Sequence, residues 1–128
     1  MMKLIFSIFC LVLVSGSVFS QSEKHQVLDK ALFKSDIQQW DIQLIDVRTP
    51  EEFEAGKIGD AININVLEPE TFIEEINALD KEKPVYIYCR SGKRSAKAAA
   101  LMLEAGFTKV YDLEGGYLNW TAEDTEEE

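Results

Sequence analysis

The densest chemistry in the chain lies in seven consecutive residues, Cys89-Arg90-Ser91-Gly92-Lys93-Arg94-Ser95. They bring together one sulfur nucleophile, three cations, two hydroxyls and one glycine. The thiolate, not the thiol, is the reactive form of cysteine, and cations or a helix N-terminus favour it. An apolar run, Val85-Tyr86-Ile87-Tyr88, precedes the segment, and an alanine-rich stretch at 96–103 follows it. This pattern predicts a strand, a tight loop and a helix. A cysteine at the carboxyl end of such a strand sits where open parallel sheets bind ligands, beside helix-opening amides that suit an anion. The competing reading is a structural cysteine in an apolar core. The polar and basic neighbours of Cys89 argue against it.

The rest of the chain alternates short apolar strands with amphipathic helices. Val27-Leu28 fits a first strand, Asp29 a helix cap, and Leu32, Phe33 and Ile37 one apolar face of the helix that follows. Residues 43–47 form the next strand, and Thr49-Pro50-Glu51-Glu52 opens a helix that ends at Gly56. Residues 61–66 are expected as a strand. Glu68-Pro69 opens a helix with Phe72, Ile76 and Leu79 on its apolar stripe. Residues 110–113 form the last strand before Glu114-Gly115-Gly116 turns the chain into a short helix carrying Trp120, which is read as core. The lone histidine, His25, is expected to be a solvated surface residue at a frayed start. The alternation implies an α/β fold, a mostly parallel sheet with helices on both faces.

Over about Gln43 to Trp120 the sequence resembles the rhodanese family of sulfurtransferases. The resemblance rests on Leu44-Ile45-Asp46-Val47-Arg48-Thr49-Pro50-Glu51-Glu52-Phe53, on Gly56-Lys57-Ile58, on the C-R-S-G-K-R-S loop, and on Leu113-Glu114-Gly115-Gly116 with Trp120. Lys57 departs from the histidine common in the family, at a position that looks like framework. The resemblance implies a single rhodanese-like domain at 26–122 that moves sulfane sulfur. Cys89 is then the catalytic residue. Arg90, Ser91, Gly92, Lys93, Arg94 and Ser95 bind the substrate, and Asp46 and Arg48 are structural groups near the site. It implies two steps: Cys89 takes the outer sulfur of thiosulfate or of a persulfide or polysulfide, then passes it to cyanide or a thiol. That is ping-pong covalent catalysis without cofactor or metal. The partners expected are a small anionic donor, a thiol or cyanide acceptor, and a protein persulfide as a further donor.

The chain has 128 residues and a formal net charge of −10. The length suits one domain. The charge opposes general nucleic-acid binding, which begins with phosphate neutralisation. Residues 1–20 read as a signal peptide: Lys3, then an apolar stretch at 4–14, then Val18-Phe19-Ser20 before Gln21. The stretch is shorter than the ~20 apolar residues of a stable membrane anchor. Export to a periplasmic or secreted location is therefore expected. Cleavage would leave Cys89 as the lone cysteine, a reactive thiol rather than half of an internal disulfide. Residues 123–128 read as a disordered acidic tail.

Two other functions compete. Phosphatases and arsenate reductases use loops with five residues between cysteine and arginine, whereas four separate Cys89 from Arg94 and Ser95 follows. The shorter loop leaves less room for a tetrahedral oxyanion. A non-catalytic rhodanese-like binding module is the other rival, and the intact loop weighs against it.

Overall fold

The computed structural model describes residues 25–123. Residues 1–24 and 124–128 lie outside it, and with them the expected signal peptide and nearly all of the acidic tail. Five strands form one sheet: β1 (His25–Leu28), β2 (Gln43–Asp46), β3 (Ile62–Asn63), β4 (Val85–Tyr88) and β5 (Val110–Leu113), in the spatial order β1-β5-β4-β2-β3. Every pairing is parallel, with Ile45 opposite Ile87 and Tyr86 opposite Tyr111. Five helices connect and close the sheet: α1 (Lys30–Gln39), α2 (Pro50–Ala55), α3 (Pro69–Ile76), α4 (Lys93–Glu104) and α5 (Gly116–Thr121). This is the single α/β domain that the alternation implies.

The starts of α1 and α2 follow from polar side chains, whereas α4 and α5 begin at the left-handed Gly92 and Gly115. Asp29 Oδ1 accepts the Leu32 amide at 2.8 Å and caps α1. Thr49 and Glu52 form a reciprocal capping box at α2, behind a proline in the first turn. Each such cap satisfies amides that the helix itself leaves unpaired, typically contributing ~1 kcal/mol.

Helices cover both faces of the sheet. On one, Phe72 and Ile76 of α3 and Ala98, Ala99 and Met102 of α4 pack on Ile45, Val85, Ile87 and Val110. The alanines let α4 approach closely. On the other, Phe33 of α1 packs with Tyr86, Tyr88 and Leu113, and Phe53, Tyr117 and Trp120 from α2 and α5 close the edge. Phe33 meets the rings of Tyr86 and Trp120 edge to face, at 5.4 and 6.4 Å between centroids. Phe33 and Phe72 are fully buried, and truncating either to alanine is expected to cost ~3–5 kcal/mol.

One strand is shorter than its sequence suggests. Only Ile62 and Asn63 pair as β3, not the whole of 61–66. The Asn63 side-chain amide donates to the carbonyls of Asp46 and Arg48, at 3.0 and 2.9 Å. Beyond it, Ile64 and Val66 keep contact with β2 through single hydrogen bonds to Asp46 and Val47 rather than a continued ladder. The alternation in 61–66 therefore marks a segment that ties down the end of β2.

Candidate active site

All four residues of β4 are buried, and the strand delivers Cys89 at the carboxyl edge of the sheet with 1% of its surface exposed. The chain then turns through Gly92, whose φ of +104° lies in the left-handed region that glycine adopts without strain. That turn aims the Gly92 amide back at Cys89 Sγ, 3.0 Å away. Ser95, in the first turn of α4, places Oγ 3.4 Å from the same sulfur.

The loop is held from a second side by α5. The amides of Tyr117 and Leu118 donate to the carbonyls of Cys89 and Arg90, at 2.8 and 3.1 Å. Gly116 lies so close that an added Cβ would stand 2.5 Å from the Cys89 carbonyl oxygen and 2.7 Å from that of Arg90. Gly116 is thus explained by contact with the loop, whereas a Cβ on Gly115 would meet the Asn119 side chain at 2.8 Å. The cysteine backbone is clamped between two helix starts.

Asp46 and Arg48 form the neighbouring wall. Arg48 donates to both oxygens of Asp46, with the shortest contact at 2.6 Å, and to the Gly56 carbonyl at 2.6 Å. Its guanidinium lies 4.2 Å from the centroid of the Tyr117 ring. Asp46 is fully buried and Arg48 is 3% exposed. The pair joins the end of β2, the end of α2 and the start of α5.

The loop cations are not equivalent. Arg90 and Lys93 are exposed. Arg94 forms a two-pronged ion pair with Glu52 of α2, at 2.6 and 2.9 Å. The hydrogen bonds from Arg94, aided by Thr49 and opposed by partial burial, hold the Glu52 carboxyl down at about 2. Ser91 is exposed, and Ser95 is fully buried.

Behind Ser95 lies a group that the sequence does not reveal. Asp112 of β5 is 2% exposed, and its Oδ2 accepts from Ser95 Oγ at 2.9 Å. Its other oxygen, Oδ1, is buried with no hydrogen-bond partner. Burial raises the Asp112 carboxyl to about 6, against the opposing influence of Ser95 and His25. His25 corrects an expectation. It belongs to β1, and its Nε2 is buried 3.5 Å from Asp112 Oδ2. Parallel pairing of β1 with β5, with His25 opposite Val110, brings it against Asp112 and leaves its side chain 22% exposed. Among the described residues no group of three or more His, Cys, Asp or Glu side chains is placed to hold a metal ion, and no helix is long and apolar enough to cross a membrane.

With this geometry in view, the profile of the rhodanese-like domain matches residues 29–123. The chain belongs to the rhodanese-like domain family. Among relatives of this rhodanese-like domain, YqhL of Bacillus subtilis is 34% identical over 91% of this chain and 88% of its own length. Thiosulfate sulfurtransferase GlpE of Coxiella burnetii is 37% identical over 64% of this chain and 74% of its own. The tRNA uridine(34) hydroxylase of Pelagibacter ubique is 32% identical, but the match spans only 35% of that longer protein. A crystal structure of a rhodanese-like domain protein from Staphylococcus aureus superimposes with a TM-score of 0.65 at 31% identity, covering 80% of this chain and 98% of that one.

Proposed function

We propose that this rhodanese-like domain is a sulfurtransferase that carries sulfane sulfur as a persulfide on Cys89. The observation that carries the reading is the Gly92 amide aimed at Cys89 Sγ from 3.0 Å, in a loop clamped by α4 and α5. Such a loop provides fixed donors for negative charge on sulfur, and preorganised donors lower a barrier because they need no reorientation during reaction. Thiosulfate, or a persulfide or polysulfide, donates its outer sulfur to Cys89. A thiol or cyanide then removes it. Exposed Arg90 and Lys93 attract the anionic donor, while Arg94 acts with Glu52 to fix the loop against α2. The thiosulfate sulfurtransferase among the relatives supports this substrate class. The hydroxylase relatives are matched over a minor part of their own length.

Thiocyanate formation from thiosulfate and cyanide tests the reading, together with mass spectrometry for one added sulfur on Cys89. Aryl phosphate hydrolysis is expected to be absent. Phosphate release without thiocyanate would reverse the assignment, and neither product would leave the binding module. We also propose export, supported by the order of basic, apolar and small residues in 1–20. A mature protein beginning at Gln21 is expected from N-terminal sequencing, and an intact Met1 would refute it.

A further inference from the structure

Cys89, Ser95 and Asp112 are buried and continue to the half-buried His25, in one line across three strands and a helix. The successive contacts are 3.4 Å from Sγ to Ser95 Oγ, 2.9 Å from Oγ to Asp112 Oδ2, and 3.5 Å from Oδ2 to His25 Nε2. A carboxyl group buried to this degree and left with an unpartnered oxygen is costly as a structural device, because an uncompensated buried polar atom opposes folding. It lies one hydroxyl away from the sulfur assigned above to sulfur transfer.

We propose that Asp112 is the proton store of the transfer cycle, taking the Cys89 thiol proton through Ser95 when the persulfide forms and returning it to the same sulfur when the persulfide is spent. A serine hydroxyl donates one proton and accepts others. With Cys89 a thiol and Asp112 ionised, Ser95 accepts from the thiol and donates its one proton to the carboxylate at 2.9 Å rather than to the Gly92 carbonyl at 3.1 Å. With the proton moved, Asp112 donates to Ser95 and Ser95 donates to sulfur. The two arrangements differ only in the positions of protons along existing contacts.

The chemistry balances in both halves. Cys89 attacks the outer sulfur of thiosulfate, the donor S–S bond breaks with its electron pair on sulfite, and the thiol proton ends on Asp112. A thiol, a thiosulfate dianion and a carboxylate become a persulfide anion, a sulfite dianion and a carboxylic acid. Cyanide then takes the outer sulfur, and the pair of the Cys89 S–S bond returns to Sγ. The Asp112 proton follows it through Ser95, leaving thiocyanate, a thiol and a carboxylate. The pocket holds one negative charge before and after each half. Without the store, the persulfide and the Asp112 carboxylate would be two buried anions separated by one hydroxyl, an arrangement that raises the energy of both.

Asp112 and His25 are positioning residues in this scheme, since of the side chains in this line Ser95 alone touches the reacting sulfur. The groups facing Asp112 are His25 from β1, Ser95 from α4 and, through it, Cys89 from β4. Among the described residues, His25 is the one ionisable group whose field shifts the Asp112 carboxyl, and it shifts it down.

The proposal rests on the sulfurtransferase reading, and ping-pong kinetics separate the two. kcat/KM for thiosulfate reports the free enzyme, and kcat/KM for cyanide reports the persulfide form. Both are measured from about pH 5 to about pH 8, with the cyanide series divided by the fraction present as the anion. In the parent the thiosulfate series is expected to rise through a bend near the Asp112 value of about 6. The cyanide series is expected to fall through a bend at or above it. Asp112→Asn should remove both bends and lower the thiosulfate series about a hundredfold at neutral pH, within the range of acid–base assistance. His25→Ala should keep both bends and move them to higher pH together. Bends unmoved in Asp112→Asn would overturn the proton store. Should that variant fail to fold, bends unmoved in His25→Ala would do the same. A parent that forms no thiocyanate would instead overturn the sulfurtransferase reading itself.

Discussion

Gly116→Ala is expected to damage the site severely. The three atoms nearest its new Cβ would all be backbone: the Cys89 oxygen at 2.5 Å, the Arg90 carbonyl carbon at 2.6 Å and the Arg90 oxygen at 2.7 Å. None of these can rotate away. Ordinary contact begins near 3.4 Å, so the loop or α5 must retreat by most of an ångström. A misplacement of ~1 Å at a reacting group can cost a hundredfold in rate, and the loop that moves is the one that holds Cys89. The substitution also places a side chain at φ +60°, which adds ~1–2 kcal/mol, while overpacking adds ~1–3 kcal/mol. In a domain of this size each kcal/mol lowers Tm by roughly 4–8 °C. Gly59→Ala is the control, because Gly59 also has positive φ but meets nothing within 4 Å. It should show the conformational cost alone and retain parental activity. Thermal unfolding by circular dichroism and thiocyanate formation measure the two effects. A Gly116→Ala protein as stable as Gly59→Ala, with kcat within about twofold of the parent against the hundredfold expected, would refute the clamp.

Cys89→Ser should abolish sulfur transfer and leave the circular dichroism spectrum unchanged, because a hydroxyl is a much weaker nucleophile than a thiolate; substantial residual turnover would assign the sulfur elsewhere. Raising ionic strength should lower kcat/KM for thiosulfate, and Lys93→Ala should flatten that dependence, since exposed loop cations act within a Debye length of ~8 Å at physiological salt while most of the net −10 lies farther off. A rate that rises with salt equally in both proteins would show that the acidic body governs approach. The Glu52 carboxyl is held at about 2, well below its ordinary 4.5, so its stabilising contribution is complete above pH 4.5 and lost as pH falls towards 2. Urea midpoints across that window should fall less steeply in Glu52→Gln than in the parent. Equal slopes would show that the Arg94 pair contributes nothing to folding.

Features written within a few residues were legible in the sequence. Asp29 and the Thr49-Pro50-Glu51-Glu52 run announce helix starts because a cap joins neighbours in the chain, and α1 and α2 begin there. Cys89 follows an apolar strand and precedes a helix, as its flanking composition implies. What escaped detection depends on pairing between distant segments. Glu52 and Arg94 are 42 positions apart, so the basic character of the loop gave no sign that one of its cations is already matched. Asp112 lies within the Val110–Leu113 strand, and its partner Ser95 comes from α4, 17 positions away in the chain. His25 and Asp112 become neighbours only because the first strand pairs with the last. A faint signal was present: an acid flanked by Tyr111 and Leu113 is an unusual choice for a strand that must be covered on both sides.

The depth of Cys89 has a consequence for traffic. A sulfur atom with 1% of its residue's surface open cannot meet a partner flank to flank, as two broad molecules would. Whatever exchanges sulfur with it must come to a point: a small ion, a free low-molecular-weight thiol, or a single side chain standing clear on a narrow arm. On the proposed sulfurtransferase reading, two copies of the chain, each with Cys89 equally recessed, would not pass sulfur directly from one to the other.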